Sequence, residues 1–117
     1  MKKKYYTLTQ TAERDFRQAK AWSLSRWGKG LTQKYFKDLH NAAKYIAAHQ
    51  SSPQNKDHIT GDTGLNVYAV REHYIVYVST GPNEIIIVAL IRQIRDVPNI
   101  LKANHFMFKR ELKEILG

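Results

Sequence analysis

The run Ile85-Ile86-Ile87-Val88-Ala89-Leu90-Ile91 is the longest uncharged aliphatic stretch of this chain. A half-buried strand alternates apolar and polar residues, because successive side chains point to opposite faces of a sheet. This run does not alternate, and its branched side chains favour extended backbone, so it predicts a central strand covered on both faces. It is much shorter than the ~20 apolar residues that span a bilayer. The rest of the sequence must therefore supply two layers of cover.

The first layer is legible in helical periodicity. After Thr9 or Thr11, either of which can cap a helix, Ala12, Phe16, Ala19 and Trp22 or Ser23 recur every three or four residues, with Trp27 one turn on. That helix is expected to end near Gly28. Beyond Gly28-Lys29-Gly30, a second helix carries Leu31, Tyr35, Leu39, Ala42, Ala43 and Ile46 on one face. So short a break predicts two antiparallel neighbours, a helical hairpin.

Lys4 to Thr9 reads as a first strand, and residues 50–64, rich in turn formers, as a long surface loop. Three further strands, Asn66 to Arg71, His73 to Thr80 and Glu84 to Arg92, predict an antiparallel meander, the last two joined by Gly81-Pro82-Asn83. The second layer falls to the C-terminal segment. Leu101, His105, Phe108, Leu112 and Ile115 form one helical stripe, within a helix expected from Ile100 or Asn104 to Leu116. The expected fold class is α+β, in the order β-α-α-β-β-β-α: a helical hairpin packed on a small antiparallel sheet, with a C-terminal helix.

Composition narrows the chemistry. The 117 residues fit one domain, taken as 1–117 with 97–117 as a helical extension, and contain no cysteine, which excludes disulfides, thiol catalysis and thiolate zinc sites. The five histidines include no pair at helical metal-ligand spacing, and the acids are scattered singly, so neither a metal nor any other cofactor is expected. No secretion signal or membrane span is visible, and a cytoplasmic location is expected. The formal net charge of +9 points to an anionic partner, either nucleic acid or an acidic protein segment.

The hairpin lysines and arginines read as a solvated face. Arg71, Arg92 and Arg95 stand at strand ends, where a guanidinium can hold phosphate or carboxylate through two hydrogen bonds. The plainer alternative is an ion pair of Arg92 or Arg95 with Asp96 or Glu72. His73 beside Arg71 could act as a general base, and with Arg92 this would be a minimal kit for cleaving RNA without metal. Against that, Tyr74 and Tyr77 are good strand formers, and His73 next to a turn is expected at the surface.

The sequence resembles the ParE branch of the RelE/ParE family of toxin–antitoxin toxins. The resemblance runs from about residue 4 to 97. It rests on Leu8 and Ala12, Asp15-Phe16, Trp22, Arg26-Trp27-Gly28, Tyr35 and Leu39, Pro53, Tyr74-Ile75-Val76-Tyr77, the strand Ile85 to Ile91, and Arg95-Asp96. It implies a toxin that inhibits DNA gyrase by protein binding and is neutralised by a cognate antitoxin with a DNA-binding N-terminus and an acidic C-terminal tail. The alternative is a RelE-like, ribosome-dependent mRNA endoribonuclease using Arg71, His73 and Arg92. Asn66, Tyr68 and Tyr74 stand where RelE-like nucleases carry cations, which favours the first reading. Arg92 replaces a histidine common in the ParE pattern. On this reading Arg92, Arg95 and Arg71 contact the target, and Trp22, Trp27, Tyr35 and Phe36 anchor the antitoxin. No membrane is implied, and direct nucleic-acid contact is allowed without being required.

Overall fold

A computed structural model describes residues 5–49 and 63–117. Lys4, Pro53 and most of the expected 50–64 loop lie outside the described residues. The elements are β1 (Tyr6–Leu8), α1 (Gln10–Ala48), β2 (Asn66–Val70), β3 (His73–Gly81), β4 (Glu84–Arg92), α2 (Val97–Ala103) and α3 (His105–Leu116).

The sheet order is β1-β4-β3-β2, so the aliphatic run occupies an inner strand. Strands β2, β3 and β4 form the expected antiparallel meander. β1 pairs parallel with β4, Leu8 beside Ile87, which makes the whole sheet mixed. Ile87 lies opposite Tyr77 and Ala89 opposite Val76, leaving Val88 without an opposite residue in β3. This bulge resets the alternation of faces. Ile85, Ile87 and Leu90 pack on the core beneath α1, whereas Ile86, Val88, Ala89 and Ile91 pack with Val97, Leu101 and Phe108 of α2 and α3. Both faces of β4 are covered, which is why its sequence does not alternate.

α1 is one helical run broken at Gly28, whose φ of 83° and ψ of 177° belong to no helix. A straight helix would separate Phe16 from Phe36 by ~30 Å. Their ring centroids lie 6.2 Å apart, so the two arms fold back on each other as the expected hairpin. Leu31, expected on the inner face, is 58% exposed, and Thr32 is buried in its place. The rest of that face, Tyr35, Leu39, Ala43 and Ile46, is buried as expected, so the departure is confined to the first turn after the kink. The C-terminal segment is two helices rather than one. Asn104 stands at their junction, its Nδ2 donating to the Ile100 carbonyl at 2.8 Å.

The N-terminus of α1 takes over part of the edge that short β1 leaves open, as far as the Leu90 N–H. Thr9 N–H donates to the Ile87 carbonyl at 3.0 Å. Thr9 Oγ1 donates to the Val88 carbonyl at 3.1 Å and accepts from Ala12 N–H, also at 3.1 Å, so one side chain caps the helix and fastens it to the bulge. One turn on, Asp15 Oδ2 accepts from Leu90 N–H at 3.1 Å. Buried Glu111 of α3 accepts from Thr11 Oγ1 at 2.8 Å, which ties the C-terminal helices to the same turn.

Candidate functional site

Where β4 runs out, the first arm of α1 diverges from it and leaves a cleft of ≈ 260 Å³. Asp15, Gln18 and Trp22 line one wall, and His73, Leu90, Arg92 and Arg95 the other. Arg92 has the parity of Leu90, so its side chain rises on the α1 side of the sheet. Its guanidinium carbon lies 4.5 Å from the Trp22 ring centroid, and that of Arg26 lies 4.9 Å from the same ring. A cation over an indole face is attracted by the ring quadrupole, and the planar guanidinium also stacks on it. Arg92 is therefore seated on an aromatic ring instead of on Asp96 or Glu72. Its Nε is buried and has no hydrogen-bond partner among the described residues. A cation is fixed in place with one of its donors unpartnered.

Trp22 opens a file of rings that runs back into the core. Trp27 stands edge-on to it at 5.1 Å, and Tyr35 follows at 5.5 Å from Trp27. The Tyr35 hydroxyl makes a hydrogen bond with His73 Nδ1 and lies 3.4 Å from the Val70 carbonyl oxygen. Burial pushes the Tyr35 phenol up to about 12. Burial, reinforced by the charge of Arg92, holds the His73 imidazole below its ordinary 6.5. His73 is only 3% exposed, which corrects the expectation of a surface histidine: its place opposite Arg92 puts it under the hairpin, not on the turn.

Arg71 stands apart from this cleft. It occupies the β2–β3 turn with φ 51°, and its Nε and Nη2 both reach Asp38 Oδ2 at 2.7 Å. Gln93 braces the turn, its Nε2 donating to the Arg71 and His73 carbonyls at 2.8 and 2.9 Å. Arg71 instead borders a second cleft of ≈ 250 Å³ with Trp27, Leu31, Lys34 and Tyr35.

The structure thus brings Arg92, Arg95 and Trp22 together, with His73 beneath them, and leaves Arg71 on the far side of Tyr35. Tyr35 is 5% exposed and Phe36 half-buried, both packed into the core beneath the hairpin. Sequence reasoning gave no site role to Asp15, which entered only through the family pattern, and did not single out Gln93. Asp15 had a signal, a single acid six residues after the capping Thr9. Gln93 had none, because its amide serves two backbone carbonyls that no spacing rule locates.

A family model described as the ParE toxin of type II toxin-antitoxin systems, parDE, matches residues 6–97. No curated protein matches the chain. Among solved structures, a chain described as "Chromosomal ParDE TA system from P. aeruginosa" is similar at TM-score 0.62 and 15% identity, over 74% of this chain and 92% of that one. At that identity the likeness is one of fold.

Proposed function

The chain belongs to the ParE toxin family of type II toxin-antitoxin systems, and from that premise we propose that it arrests growth by binding DNA gyrase. It acts in the cytoplasm without catalysing a reaction, and a cognate antitoxin with an acidic tail neutralises it. The observation that carries this reading is the seating of Arg92 on Trp22 beside Arg95, at the mouth of a cleft, with Nε unspent. A guanidinium seated on an indole, with the exposed Arg95 beside it in the cleft lining, suits a carboxylate-bearing protein surface. The nuclease alternative is disfavoured because its three residues do not converge: Arg71 is engaged by Asp38, and His73 is buried against Tyr35. Trp22 and Trp27, both partly exposed, are the aromatic anchors of the antitoxin, with Phe36 and Tyr35 supporting them from below.

Expression without an antitoxin should cause filamentation and DNA-damage signalling before protein synthesis declines. Alanine at Arg92 and Arg95 together should relieve the arrest at equal folded abundance, while alanine at Lys34 and Lys37 should not. Exposed helix lysines are screened point charges, whereas Arg92 is held on Trp22. Translation collapsing first, or the lysine pair mattering more, would refute the assignment.

A further inference from the structure

We propose that the cleft at the end of β4 receives one extended segment of the protein's target, paired parallel to β4, with an acidic side chain on Arg92. The inference rests on the reading that this protein works by binding other proteins, and it specifies how such a partner is held.

The argument starts from backbone accounting. In an antiparallel ladder, the N–H and C=O of one residue point to the same side, and successive residues alternate. Gln93 N–H donates to Glu72 of the β2–β3 turn at 2.8 Å, and Leu90 N–H turns away from β3 to Asp15 at 3.1 Å. The Leu90 carbonyl and the Arg92 amide therefore also point away from β3, into the cleft. β1 cannot reach them, since it ends beside Ile87. Thr9 holds the Ile87 and Val88 carbonyls and Asp15 the Leu90 N–H, and among the described residues nothing bonds to the Leu90 carbonyl or the Arg92 N–H. The Arg92 carbonyl is taken by Arg95 N–H at 3.1 Å.

What is left, one acceptor at Leu90 and one donor at Arg92, is the pattern with which a strand holds a single residue of a parallel neighbour. The incoming residue lies level with Ile91, donates its N–H to Leu90 and accepts from Arg92 with its C=O. An antiparallel neighbour would meet the same two groups from two different residues, and neither could complete its pair, because Asp15 holds the Leu90 N–H and Arg95 the Arg92 carbonyl; a parallel neighbour closes both bonds on one residue. The direction is also that of β1, so the segment would extend the sheet along the same edge. The residue after the bridging one lies level with Arg92 and projects to the Arg92 face of the sheet. Arg92 Nε is buried without a partner, and Arg95 adds a second positive charge to the cleft lining. An acidic side chain at that position meets the Arg92 guanidinium with a charge-assisted bond, and Nε–H reports the change because it has no other partner.

The test uses the full chain, labelled with nitrogen-15, and two blocked peptides, acetyl-Thr-Val-Glu-Val-amide and its Glu→Gln counterpart. Titration followed by NMR should shift the backbone amide of Arg92 and its Nε–H resonance, with millimolar affinity. The glutamine peptide should bind at least ~10-fold more weakly, since its amide still accepts a hydrogen bond but without the charge that strengthens it. An Arg92→Gln variant that keeps the wild-type amide spectrum elsewhere should lose the preference for glutamate. Inorganic phosphate at matched ionic strength should shift the Nε–H but not the Arg92 amide.

Equal binding of both peptides, shifts centred elsewhere, or no shift up to ~10 mM peptide overturns the proposal. Phosphate reproducing the full peptide pattern does so as well, by showing a general anion site. None of these readouts involves gyrase, so failure here and failure of the gyrase reading are separate results.

Discussion

His73 is kept neutral by its surroundings, and this has a measurable consequence. Unfolded, its imidazole titrates near 6.5; in the fold, burial and then the charge of Arg92 hold it lower. Between those two values the unfolded chain binds more protons, so stability falls as pH drops through 6.5 and the loss is complete below the folded value. Tyr35 gives the opposite limb. Its phenol is pushed from 10.0 to about 12, so the unfolded chain loses that proton first and stability falls as pH rises between them. Urea denaturation across pH should show both limbs, and His73→Asn should flatten the acidic one; an unchanged acidic limb would place its origin elsewhere. At this scale the sequence was only partly legible. Arg92 and Arg95 were singled out by their strand-end positions, and both line the cleft at the end of β4. The burial of His73 was not visible, because it depends on which face of β3 lies under the hairpin, and that is set by a pairing across 38 residues with Tyr35.

The helical hairpin depends on one backbone angle pair. Gly28 has φ 83° and ψ 177°, a region that is costly for any residue with a Cβ, and an added Cβ would meet nothing within 4 Å. Gly28→Ala should therefore destabilise the fold by ~1–3 kcal/mol through conformation alone. Gly30→Ala, two residues away in helical backbone and equally open space, should stabilise it by ~0.5–1 kcal/mol. Chemical denaturation of the two variants gives the sign of each, and matching signs would contradict this account of the kink. Elements of this kind were legible: both arms, the meander and the covered strand follow from period and punctuation. The parallel pairing of β1 was not, since three residues carry no directional signal. Nor was the Val88 bulge, which hides inside a run already apolar on both faces.

For the molecule as a whole, the family match ends at residue 97, yet α2 and α3 supply Leu101 and Phe108 to the second core, on the face of the sheet opposite the hairpin. Ending the chain after Val97 should expose Val67, Val76, Ile86 and Val88, and thermal unfolding should lose its cooperativity; a sharp transition at unchanged temperature would show the extension to be dispensable. The stripe of Leu101, Phe108 and Leu112 made that cover readable from sequence, whereas the net charge of +9 indicated an anionic partner without identifying it. The most direct measurement of the central claim sets the purified protein beside gyrase with supercoiled plasmid and ATP, and in parallel beside ribosomes programmed with mRNA. The account predicts accumulation of gyrase-linked broken plasmid, abolished by alanine at both Arg92 and Arg95, with the mRNA left intact. Cleaved mRNA together with undisturbed gyrase activity would contradict it.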